Sequence, residues 1–214
     1  MAAKLLTEFI GTFFLVLTIG LAAVVGADLA PVAIGTVLTA LVYMGGHVSG
    51  AHYNPAVTLA IWMRGKLSTA EVFPYMGVQV LAAVAAALCA YLVTGEVLEV
   101  APAAETSVAS FFLLELLFTF ALVLVILNVA TSVETAGNSY FGVAIGLVVL
   151  GGAFATGPIA GGAFNPAVAL GPILVDVVAG DGRTVSGLWV YLLSTFAGGA
   201  LAALAFRVQS PADA

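Results

Sequence analysis

Charge is what this sequence has least of. Only 7% of its 214 residues are charged while 63% are hydrophobic, a balance that suits neither a soluble globule nor a disordered chain. Its natural solvent is the lipid bilayer. The net charge of -6 comes from scattered residues with no run of one sign, so neither a basic partner nor nucleic acid is implied. Cysteine is nearly missing too. Cys89 stands alone in an apolar stretch, which excludes an intrachain disulfide and a thiolate metal cluster. The few polar residues offer no nucleophile-base pair, no phosphate-cradling Gly-Lys motif and no metal-ligand group. An enzyme reading therefore has no support, and neither a cofactor nor a metal is expected.

What the chain does have is apolar sequence in lengths of roughly 17–25 residues, the span of a bilayer. Such stretches lie near 6–26, 32–49, 72–94, 109–130, 139–156 and 186–207. The first resembles a cleavable signal peptide, but its Leu6-Thr7-Glu8 to Thr12-Phe13 pattern returns as Leu114-Glu115 to Thr119-Phe120, and cleavage would remove half of a repeat. Two shorter apolar segments, 54–64 and 165–177, each open on Asn-Pro. Asn is a favoured helix cap and Pro is tolerated at the first helical position, so both read as short helices. The approaches to them, Gly45–Gly50 and Gly157–Gly162, are Gly-rich and predict irregular backbone. At membrane depth such backbone survives only where protein buries it or it lines an aqueous cavity.

These segments predict an all-α membrane protein: six transmembrane helices plus two re-entrant half-helices, forming one channel domain over 1–214 with halves of about 1–100 and 107–214. Glu8 to Glu115 and Thr12 to Thr119 are matched pairs, as are Asn54 and Asn165. Three spans per half is an odd number, so the second half runs through the membrane in the opposite sense and the two short helices enter from opposite faces. Lys4, Arg64, Lys66 and Arg207 fall on the side of the termini and only Arg183 on the other. The positive-inside rule then places both termini in the cytoplasm of an inner or plasma membrane. Asp28, Glu96, Glu99, Glu105, Asp176 and Asp181 face outward, either as a field that disfavours anions or as solvated loop ends.

Each short helix points the positive end of its dipole at its own triplet, Asn54-Pro55-Ala56 or Asn165-Pro166-Ala167, and two such ends facing each other repel cations. The Asn side chains have amide N–H groups to offer a passing water or hydroxylated solute, while their carbonyl oxygens stay tied to the half-helix backbone. One triplet alone is an ordinary helix start. Two in matching repeat positions mark a pore.

Here the sequence resembles the aquaporin, or major intrinsic protein, family. The likeness rests on Glu8 to Phe13, on Gly46 through Thr58 around the first triplet, on Gly142, and on Asn165-Pro166-Ala167 with Leu170-Gly171-Pro172. It implies a homotetramer in membrane lipid, each protomer holding its own passive pore for water or other small neutral solutes. One departure stands out. The family usually has Arg directly after the second triplet, where this chain has Val168. By the family's pattern the outer constriction maps to Ile34, Ala153, Gly162 and Val168. Without an Arg the site loses a fixed charge and several donors, and Ala153 adds room. The expectation is a wide apolar filter that admits glycerol- or urea-like solutes and hydroxylated metalloids such as arsenite. A water-selective channel and an ion-coupled secondary transporter are the alternatives.

Glu8 and Glu115 are ionisable groups inside spans, costly there unless partnered. The resemblance implies that they accept hydrogen bonds from the re-entrant backbone. His47 and His52 flank the first re-entrant turn without carboxylate or Cys companions. His47 either lines the cytoplasmic vestibule as a pH-sensitive gate or is structural. Gly142 and Gly146 suit close helix packing. Trp189, Tyr191 and Tyr140 lie near span ends and read as interfacial anchors. Phe164 packs in the core or lines the pore.

Overall fold

The computed structural model describes residues 1–211. Six long helices are present: α1 (Ala2–Val24), α2 (Ala30–Ser49), α4 (Thr69–Thr94), α5 (Val108–Thr131), α6 (Phe141–Ala160) and α8 (Leu188–Gln209). Each is long and apolar enough to cross a bilayer, α8 being taken with the 3-10 turn Arg183–Gly187 that leads into it. Two short helices, α3 (Pro55–Met63) and α7 (Pro166–Ala179), follow α2 and α6. No strand occurs among the described residues. Of the span 1–214, expected to form one channel domain, residues 212–214 lie outside the described residues.

The Gly-rich approaches are less irregular than the sequence suggests. Gly45–Ser49 completes the last turn of α2 and Gly157–Ala160 that of α6, which leaves only Gly50–Tyr53 and Gly161–Phe164 as loop. Glycine serves crowding here before it serves flexibility: a Cβ on Gly45 would lie 1.9 Å from the Tyr53 hydroxyl. Helix α2 then stops at Gly50, whose left-handed φ of 89° no side chain opposes.

The halves are built alike and then interlocked. α1 packs on α2 and α4, and α5 packs on α6 and α8, while α2 and α6 join the halves. Each half-helix also leans on the last span of the opposite half, α3 on α8 and α7 on α4. Glycine permits both approaches. A Cβ on Gly199 would meet the Ala56 carbonyl at 2.8 Å, and one on Gly171 would meet the Ala83 backbone at 2.6 Å.

Apart from the buried Glu8 and Glu115, charges sort to the two ends of the bundle. At the end bearing the termini, Lys4 donates to Glu71 at 2.8 Å, Arg207 donates to the Met63 carbonyl at 2.5 Å, and the Arg64 guanidinium lies 5.1 Å above the Phe206 ring. Arg183 pairs with Glu99 at the other. The belt between them carries exposed leucines such as Leu81, Leu113, Leu147 and Leu193, a surface for lipid rather than water.

Trp189 and Tyr140 are half-exposed near helix starts, but Tyr191 is no interfacial anchor. It is fully buried, and its hydroxyl donates to the Ala160 carbonyl at 3.0 Å. Two residues along a helix turn the side chain by about 200°, so Tyr191 faces inward when Trp189 faces out. Tyr75 does the same in the first half, donating to the Ser49 carbonyl at 2.9 Å.

Candidate pore and its lining

Asn54 and Asn165 are the N-caps of α3 and α7, each in extended conformation with Pro next in line. Oδ1 of Asn54 accepts from the Ala56 amide at 2.8 Å, and Oδ1 of Asn165 from the Ala167 amide at 2.9 Å. The amide nitrogens reach across the pseudo-two-fold. Asn54 Nδ2 donates to the Phe164 carbonyl and Asn165 Nδ2 to the Tyr53 carbonyl, both at 2.9 Å. A side-chain amide has two N–H groups, so one on each Asn is committed to the opposite loop and one is left for the pore. The sequence offers these N–H groups only to the solute; the cross-loop bond needs the fold to be seen.

The loops that deliver these caps share one backbone pattern. Gly50, Ala51 and Tyr53 have φ of 89°, 52° and 50°, and Gly161, Gly162 and Phe164 have 89°, 67° and 50°. Left-handed backbone at Ala51, Tyr53 and Phe164 is strained and persists only when its surroundings impose it. Two buried carboxylates do so. Glu8 accepts from the His52 amide at 2.9 Å and the Tyr53 amide at 2.7 Å, and Glu115 from the Ala163 amide at 2.9 Å and the Phe164 amide at 2.8 Å. Glu8 has more: the Ser49 hydroxyl at 2.7 Å and the Gln79 amide at 2.8 Å. Burial of each carboxylate is thus matched by donors aimed at it.

A cavity of about 230 Å³ runs past both caps. Ile34, Ala153, Gly162 and Val168 all lie on its wall, as do Asn54 and Asn165. Apolar side chains from α1, α2, α5 and α6, among them Ile19, Leu38, Val42, Leu122, Ile126 and Ile145, line much of the rest. No Lys or Arg occurs among the described lining residues. His47 is not on this wall; it is exposed near the end of α2. His52 takes a place there instead, with Nδ1 3.1 Å from the Thr58 hydroxyl and its ring against Tyr75. Because α2 extends to Ser49, His47 stays on a helix, whereas His52 rides the loop inward. Phe164 does both things asked of it: it borders the cavity while its ring stacks on Phe118 at 5.5 Å.

Several lining or supporting residues escaped the sequence reading. Gln79, Ser49 and Thr58 form a buried polar cluster around Glu8, and nothing in their spacing announces it. Glu99 had been placed among outward acids, yet it lines the cavity. Only the return of the 95–107 loop toward Ile159 brings it there.

An inverted repeat of three spans and a half-helix, with two Asn caps bonded across the centre, defines a membrane channel of the aquaporin kind. The chain belongs to the major intrinsic protein family, whose model matches residues 1–206. It is 38% identical to Aquaporin NIP1-4 of Oryza sativa subsp. japonica over 95% of this chain and 76% of that protein. It is 35% identical to Glycerol uptake facilitator protein-like 6 of Lactiplantibacillus plantarum, covering 98% and 99% of the two chains. Nodulin-26 of Glycine max is 33% identical over 98% and 79%. Among solved structures, the aquaglyceroporin from Plasmodium falciparum superposes with a TM-score of 0.86 over 99% of this chain and 98% of that one, at 21% identity, and so shows the fold. The protein is an integral, multi-pass channel for small neutral solutes, and not an enzyme.

Proposed function

We propose that this channel conducts solutes larger than water, of the glycerol and urea type and undissociated hydroxylated metalloids such as arsenite, through a wide apolar filter made of Ile34, Ala153, Gly162 and Val168. The observation that carries the reading is the wall itself: these four residues border one cavity with no cationic side chain among its described lining. Without a guanidinium, a passing solute meets neither a fixed positive charge nor its fork of donors. Apolar walls with side chains no larger than those of Ile34, Ala153 and Val168 leave room for carbon-bearing solutes and offer water little in return for its shell. A relative named for glycerol uptake that matches over nearly its whole length supports the same class of solute.

In this reading the free N–H of Asn54 and of Asn165 binds the solute oxygen at the midpoint, and the two helix N-termini behind them keep cations out. Each protomer of a homotetramer holds one such pore, and both termini lie in the cytoplasm of an inner or plasma membrane, in keeping with Lys4, Arg64 and Arg207 at that end. The test is a flux panel in proteoliposomes that compares glycerol, urea and arsenite with water, and includes a proton-sensitive dye. Solute uptake well above empty liposomes is expected, with no dependence on a proton or sodium gradient. Fast water flux with every larger solute excluded would overturn the wide filter. Uptake driven by an ion gradient would replace the channel with a coupled transporter.

A further inference from the structure

Glu99 is the only Asp, Glu, Lys or Arg on the cavity wall among the described residues. It stands on the loop between α4 and α5, where that loop folds back over the pore mouth remote from the termini. The segment is pinned in place. Leu98 and Val100 on either side of it are buried in the same apolar cluster as Val168, and the Ala103 amide and Thr106 hydroxyl both donate to the Ile159 carbonyl, at 3.0 and 2.8 Å. One carboxylate oxygen of Glu99 accepts from the Arg183 guanidinium, which also lies 3.7 Å from Asp181. The other has no hydrogen-bond partner among the described residues, and the side chain is 41% exposed. A carboxylate in this position is therefore oriented, accessible and short of donors.

We propose that Glu99 is a specificity-determining residue at the pore mouth, an acceptor that favours solutes bearing hydroxyl or amide donors over solutes of similar size that can only accept. The proposal rests on the wide-filter reading of the same pore. A carboxylate accepts and never donates, the reverse of a guanidinium. A solute that sheds water before the apolar ring regains a charge-assisted bond at Glu99 if it carries a donor, and meets like-signed lone pairs if it does not. The ring beyond, with Ile34, Ala153 and Val168, has no side-chain donor to compensate the second kind. Arg183 acts as a positioning residue: it fixes one oxygen and cancels much of the charge that would otherwise draw cations to the mouth.

The experiment uses two neutral solutes of similar size in proteoliposomes, glycerol, with its hydroxyl donors, and trimethylamine N-oxide, which only accepts. Wild type is compared with Glu99→Gln, which keeps an acceptor for Arg183 but adds donors, and with Glu99→Ala; water flux serves as the check on folding. The wild-type channel is expected to prefer glycerol, and the glycerol to N-oxide flux ratio to fall about threefold or more in both variants, the worth of one hydrogen bond near solvent. A wild type without that preference, or a ratio unmoved by either substitution, overturns the assignment of Glu99 while leaving the wide filter intact. A wild type that passes water alone removes the wide filter and this proposal together.

Discussion

Gln79 on α4 donates its side-chain amide to Glu8 on α1 at 2.8 Å, and the second half has no such bond among the described residues. Tyr75 and Tyr191 occupy matching places, so the residue matching Gln79, four beyond its tyrosine, is Thr195, whose hydroxyl turns back to the Tyr191 carbonyl at 2.6 Å. The two carboxylates thus carry unequal loads. Replacing Glu8 by Gln sets an NH2 against donors that were all aimed at oxygen, and is expected to cost on the order of 3 kcal/mol and to lose folded protein. Glu115→Gln, facing fewer donors, costs less. Thermal unfolding in detergent decides it; a folded Glu8→Gln channel with changed selectivity would contradict a support role.

Val168 lies in the first turn of α7 and is buried against the cavity. Val168→Arg restores both volume and a cationic fork to the ring, so glycerol flux should drop about tenfold while water flux holds or rises. Unchanged glycerol flux would mean that Val168 is not at the constriction.

Gly146 is where α6 meets α2: an added Cβ would sit 1.9 Å from the Thr39 hydroxyl and 2.4 Å from the Gly35 carbonyl. Gly146→Ala therefore forces the halves apart and should destabilise by about 1–3 kcal/mol. Gly77 on α4 has nothing within 4 Å of such a Cβ, and Gly77→Ala should gain roughly 0.5–1 kcal/mol from helix propensity alone. Paired melting curves test both; a neutral Gly146→Ala would show that the helices separate freely.

Asp176, at the far end of α7, predicts a pH effect. Burial pushes its carboxyl up, but the Thr184 hydroxyl at 2.5 Å, the Thr184 amide at 3.2 Å and the Gly182 amide at 3.4 Å, with Arg183 nearby, outweigh burial and hold it below the usual carboxylate range. A folded-state pKa below the unfolded one means stability that is complete above the unfolded value, about 3.9, and lost as pH falls through the folded one. Melting temperature measured from pH 6 downward should fall less steeply in Asp176→Asn than in wild type. Parallel curves would remove the effect.

Much of the fold was legible because lipid imposes long apolar helices and the repeat fixes their sense; the spans 72–94 and 109–130 fall within three residues of α4 and α5. Asn54 and Asn165 were legible as caps because their chemistry is local. What stayed hidden depends on contacts far apart in the chain. Tyr191 and Trp189 are neighbours in sequence with opposite surroundings, and Glu99 reaches the cavity only through a loop held at Ile159. Gly45 and Gly157 were read as loop because glycine breaks isolated helices, whereas both lie inside helices, and at Gly45 the Tyr53 hydroxyl leaves no room for a side chain.

The bonds from Asn54 to the Phe164 carbonyl and from Asn165 to the Tyr53 carbonyl act as a buckle at the waist of the channel. Each loop carries the strain of the other's fastening, and Glu8 and Glu115 hold the straps taut from behind. Widening the middle would release both at once, a cooperative cost that no single solute repays. Any opening and closing of this channel is therefore expected away from this waist.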